Sequence, residues 1–78
     1  MKYFVIKHTQ EDGGDTQVIR PHTDLKAAIM DYHREIAETL VYDTINVLGV
    51  MLIDEYNKAP MDGCTFRYER PEQQDPVI

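Results

Sequence analysis

The chain has 78 residues, a net charge of −6 and a single cysteine, Cys64. That length makes one domain, and one cysteine closes no bridge within the chain, which fits a reducing cytoplasm. Fourteen acidic residues against eight basic ones argue against a broad cationic face for nucleic acid or for an anionic membrane.

No stretch approaches the ~20 apolar residues of a membrane span. The apolar run Tyr3 to Ile6 is too short for a secretory signal. A soluble, cytoplasmic protein is therefore expected. So small a domain buries only about 60% of the surface its unfolded chain exposes. Small domains are commonly stapled by disulfides, metals or partner subunits. An internal disulfide is impossible here and no metal motif appears, which leaves self-association, with a dimer favoured, or a core that is simply well packed.

Lys2 to His8 is rich in β-formers and reads as a strand. Gln10-Glu11-Asp12-Gly13-Gly14-Asp15 follows, and its glycines supply the positive φ of a tight hairpin turn. Thr16 to Arg20 is the returning strand, with Pro21 expected to end it. Thr23 or Asp24 caps a helix over residues 24–41. Leu25, Ile29, Tyr32, Ile36 and Leu40 form one apolar stripe on it. Met30, Ala37 and Val41 form a minor apolar flank. Asp31, Arg34, Glu35 and Glu38 are expected on the opposite, solvent side, with Arg34 and Glu38 placed to pair.

Ile45 to Ile53 is the strongest strand signal. Its apolar residues point both ways: Ile45, Val47, Met51 and Ile53 to one face, Leu48, Val50 and Leu52 to the other. Asp54 to Gly63 is a polar loop, and Thr65 to Arg70 a last strand with Phe66 and Tyr68 on one side. Residues 1–70 thus form one α+β domain, and residues 71–78 are expected as a flexible C-terminal tail. The order is ββαββ. Putting the two most apolar strands in the centre gives a four-stranded antiparallel sheet of order 2-1-3-4, with one helix on one face. A single helix leaves the other face to be covered by a second copy, a partner or a ligand, or by loop 54–63 or the tail folding over it, with self-association favoured. Phe4, Ile6, Leu48, Val50 and Leu52 are the candidate self-association face.

No catalytic or metal motif is present. His8, His22 and His33 lack the spacing of ligands on one element. Cys64 has no feature that activates a thiol, and reads as a small buried hydrophobe. Asp12 and Asp15 flank a turn and lack the ligand pattern of a calcium loop. No cofactor is expected. Asp31, Glu35 and Glu38 form a candidate partner-binding acidic strip, which Asp54, Glu55 and Asp62 extend. Arg20, Arg67 and Arg70 are candidate contacts for a small anion.

The run Leu25-Lys26-Ala27-Ala28-Ile29-Met30-Asp31-Tyr32-His33-Arg34-Glu35-Ile36-Ala37, with Met1-Lys2-Tyr3 and Val47-Leu48-Gly49-Val50-Met51, resembles small uncharacterised proteins of phages and prophages of Gram-positive bacteria. That group carries no assigned activity, so the resemblance transfers no functional residues. It implies a non-enzymatic binding protein of a mobile element, in a bacterial cytoplasm, that inhibits a host defence or nucleic-acid-handling protein. Two alternatives accompany it: an oligomeric sponge for a small anionic, nucleotide-like ligand, and a structural accessory protein.

Overall fold

A computed structural model describes residues 1–71. The tail expected over residues 71–78 lies outside the described residues apart from Pro71. The elements are β1 (Tyr3–Glu11), β2 (Gly14–His22), α1 (Leu25–Leu40), β3 (Ile45–Asp54) and β4 (Thr65–Glu69). They form one antiparallel sheet of order β2-β1-β3-β4, with α1 packed on one face.

The hairpin is longer than its apolar residues suggest. Glu11 pairs directly with Gly14, so Asp12 and Gly13 alone make the turn. Gly13 sits at φ 107°, a conformation L side chains rarely adopt. So tight a turn keeps the ladder running through polar Thr9, Gln10, Thr16 and Gln17. Pro21 does not end β2; it pairs with Phe4. An edge strand tolerates a residue without an N–H. Asp24 caps α1, its carboxylate accepting the Ala27 N–H at 2.9 Å.

Register decides which residues meet the helix. Val5 faces Leu52, Lys7 faces Val50 and Thr9 faces Leu48 across β1 and β3. Val50 faces Phe66 and Leu48 faces Tyr68 across β3 and β4. These residues share the helix side. Val5, Leu48, Val50 and Leu52 are fully buried there with Ala28, Tyr32, Ile45 and Cys64. Each large apolar side chain so buried contributes roughly 1.5–3 kcal/mol of transfer free energy.

One irregularity changes an expected orientation. The β1–β3 register shifts between Gln10 and Glu11, which pair with Val47 and Ile45 respectively. Asn46 is the extra residue of a bulge. Ile45 therefore turns to the helix side and joins the core, instead of following Val47, Met51 and Ile53. The bulge is tied down on both flanks. Asn46 Nδ2 donates to Asp12 Oδ1 at 2.9 Å, and the Asn46 carbonyl accepts the Arg70 N–H at 2.7 Å.

The loop after β3 closes on itself. Asp54 Oδ1 accepts the N–H groups of Tyr56 (2.8 Å) and Lys58 (3.0 Å), and Asn57 takes φ 61°. At its far end Cys64 Sγ donates to the Met61 carbonyl at 2.9 Å. Glu55 through Ala59 stay exposed, and on the side of the sheet away from the helix Ile19 and Met51 remain 54% and 39% exposed. No helix among the described residues is long and apolar enough to cross a membrane.

Candidate functional site

Two surfaces of the sheet carry the candidate residues, and they differ in kind. Between the helix and the β1–β2 edge lies a polar layer. Asp31, Glu35 and Thr39 follow one another at four-residue steps along α1, which puts them on one line. All three are buried, Asp31 to 2% and Glu35 to 7% exposure. The sheet answers with Lys7, Arg20 and His22, which occupy helix-side positions by the pairings Lys7–Val18, Val5–Arg20 and Tyr3–His22.

Asp31 Oδ2 accepts from Arg20 Nε at 3.0 Å and contacts His22 Nε2 at 2.6 Å; Oδ1 accepts from an Arg34 terminal nitrogen at 2.7 Å. Glu35 Oε2 accepts from Lys7 Nζ at 3.0 Å, and its Oε1 lies 3.3 Å from Arg20 Nε. Among the described residues no buried side-chain nitrogen or oxygen lacks a partner. Burial is the largest influence on the Asp31 carboxyl and raises its pKa. The bonds from His22, Arg34 and Arg20 together outweigh burial and hold the carboxyl below its ordinary range.

This geometry corrects the acidic strip. Asp31 and Glu35 do not face solvent; only Glu38 is exposed. Arg34 bonds Asp31 one turn back instead of pairing with Glu38. The helix is rotated relative to its apolar stripe: Ile29 and Ile36 are half-buried and Leu40 is 39% exposed. The physical reason is the cation set on β1 and β2, which gives buried carboxylates full compensation. Arg20, expected as an anion contact, is already held by Asp31 and Glu35. Arg67 lies on the other face of the sheet, paired with Glu69. Arg70 lies just past the end of β4, so the structure does not gather the three arginines.

The open face is the second surface. The expected self-association set divides between the two sides. Leu48, Val50 and Leu52 lie under the helix, whereas Phe4 and Ile6 face away from it. The pairings Phe4–Ile53 and Ile6–Met51 set the register, and they join Phe4 and Ile6 to the opposite residues of β3. Read across the strands, the open face shows rows Pro21–Phe4–Ile53, Ile19–Ile6–Met51–Thr65, Gln17–His8–Gly49–Arg67 and Asp15–Gln10–Val47–Glu69. Ile19 is 54% and Met51 39% exposed. Phe4, Ile6, Val47 and Ile53 are half-buried. Ile19 and Gly49 were not singled out from the sequence, and His8 was considered there only as a metal ligand. Alternation marked Met51 for this side of β3, but only the register shows which strand residues share a face.

Two hollows adjoin these surfaces. One, of about 250 Å³, is lined on the open face by Gly49, with His8, Gln17 and Arg67 in its row and Ile6 and Met51 in the next. The other, of about 410 Å³, lies where β2 meets α1, lined by Lys2, Phe4, His22, Thr23 and Asp24. Its polar groups include His22, engaged by Asp31, and Asp24, engaged as the helix cap. Comparison of the chain with protein families, with curated proteins and with solved structures finds no match.

Proposed function

We propose that the chain is a non-enzymatic binding protein that works as a homodimer, each copy laying the open face of its sheet on the other's. The phage and prophage resemblance implies a binder of this class. The observation that carries the reading is the contiguous apolar surface of Phe4, Ile6, Ile19, Met51 and Ile53 on the side of the sheet away from the helix, where Ile19 and Met51 stay exposed.

The area favours a second copy of modest affinity. Four strands ~4.8 Å apart and seven residues rising ~3.3 Å each make a face of about 400 Å² in projection. Two such faces together make about 800 Å², below the roughly 1,200 Å² at which stable specific interfaces begin and in the range of weak and transient pairs. Sheets stack about 10 Å apart, which lets Ile19 and Met51 interdigitate with their counterparts. The helices then lie outside the pair. Met30, Ala37, Glu38 and Val41, all exposed, remain free to meet a protein that the dimer inhibits.

Sedimentation equilibrium over a range of concentrations tests this. The wild type is expected to pass from monomer to dimer. Ile19→Lys and Met51→Glu are each expected to hold it monomeric while changing folding stability by only about 0.5 kcal/mol, as exposed substitutions do. A wild type that stays monomeric at the highest concentration overturns the proposal.

A further inference from the structure

Gly49 occupies the middle of the most apolar strand, where a glycine loses more conformational entropy on folding than any other residue and contributes no side chain. Three ordinary reasons for such a glycine are absent. Its φ is not positive. The bulge of β3 lies elsewhere, at the Gln10/Glu11 shift, and Gly49 pairs regularly with His8 on one side and Arg67 on the other. A Cβ built on it meets nothing within 4 Å. What remains for a strand glycine is close approach from outside the chain.

We infer that the Gly49 slot binds a small planar molecule carrying a carboxylate or phosphate group. The slot has the width of one missing side chain between His8 and Arg67, which stand on the two neighbouring strands, about 9.6 Å apart at two strand spacings. Its volume of about 250 Å³ suits a single ring system, somewhat below the size of drug-like sites. Ile6 and Met51 wall one side for the apolar body of the ring, and the glycine peptide is its floor.

The polar ends come from His8, Arg67 and Gln17, in a row that holds no carboxylate. Glu69, one row away, accepts from Arg67 Nε at 2.9 Å and from a terminal nitrogen at 2.6 Å. It orients the guanidinium and partly neutralises it. The other guanidinium N–H groups have no partner among the described residues, and a guanidinium offers five in all. Removing the Glu69 charge therefore strengthens binding of an anion. The inference rests on the proposed dimer only for a roof over the slot; the contacts come from one chain.

The test follows amide chemical shifts of the ¹⁵N-labelled full chain during titration with benzoate and with adenosine monophosphate, using inorganic phosphate as a charge-only control. Sedimentation of the same samples reports the oligomeric state. Saturable shifts centred on His8, Gly49 and Arg67 are expected for at least one of the two ring compounds. Gly49→Val is expected to abolish them while keeping a dispersed spectrum, because the space for the side chain is open. Arg67→Gln should weaken binding about tenfold, the usual worth of a charge-assisted bond. Glu69→Gln should tighten it several-fold. No saturable shift, shifts that survive in a folded Gly49→Val protein, or an equal response to inorganic phosphate overturn the inference. A dimer without shifts removes the ligand and keeps the self-association reading; shifts in a persistent monomer do the reverse.

Discussion

Each face of the sheet carries side chains that the usual distribution would place on the other. The covered face buries a carboxylate pair, met by Lys7, Arg20 and His22, beside its aliphatic core. The open face turns Ile19 and Met51 to solvent. The contrast shows that burial in this domain follows compensation more than residue type. A charge goes under the helix where partners wait for it, and a hydrophobe stays outside where no element of the chain reaches it.

Substitutions on neighbouring residues of β3 offer the sharpest way to break this contrast. Leu48→Ala, under the helix, is expected to cost about 3 kcal/mol, because it empties a fully buried site. The open-face substitution Met51→Glu, three residues along, should leave denaturant stability nearly unchanged, as stated above. Equal losses in urea melts would show that the two faces do not differ as described.

The next effect concerns the polar layer. Asp31→Asn keeps the shape but removes the charge from His22, Arg20 and Arg34, and about 2–3 kcal/mol of stability should go with it at pH 7. That is less than for a deeply buried pair, because Arg20 and Arg34 are about half exposed. The pH dependence has a definite sign. The Asp31 carboxyl is held below its ordinary value of 3.8 when folded. Its contribution is therefore fully present above that value and is lost as pH falls through the lower, folded one. Urea melts between about pH 5 and pH 2 should show a steeper acid loss in the wild type than in Asp31→Asn. Parallel curves would remove Asp31 from the acid response. The smallest effect is at the helix cap: Asp24→Ala should cost about 1 kcal/mol, read as a lower thermal midpoint with the same fold.

Much of the architecture was legible in the sequence because local signals agreed with one another. Asp12-Gly13-Gly14 marked the hairpin, Thr23 or Asp24 the helix start, of which the structure uses Asp24, and the relative apolarity of the strands the order 2-1-3-4 that the structure shows. The sites were less legible, for two physical reasons. Helical periodicity treats every carboxylate as outward, so it places Asp31 and Glu35 in solvent. It has no knowledge of Lys7, Arg20 and His22, which come from strands distant in sequence. Strand alternation, in turn, sorts residues within one strand but does not say which set of the next strand shares their side. The pairings Phe4–Ile53 and Ile6–Met51 separate Phe4 and Ile6 from Leu48, Val50 and Leu52, and the extra residue at Asn46 reverses Ile45. His22 had no signal of its own, because its partner sits nine residues away across a turn.

The polar layer also governs how the helix is seated. An apolar stripe packs acceptably over a range of rotations, since dispersion contacts have little directional preference. Asp31 and Glu35 have no such latitude. A turn of the helix about its axis by the angle between adjacent residues would strand both carboxylates away from Arg20, His22 and Lys7. Replacing the layer with leucines of similar volume is expected to leave the melting temperature unchanged or raise it, as it often does for buried ion pairs. It would also replace one docking angle with several, and the domain would lose the device that tells its helix which way to face.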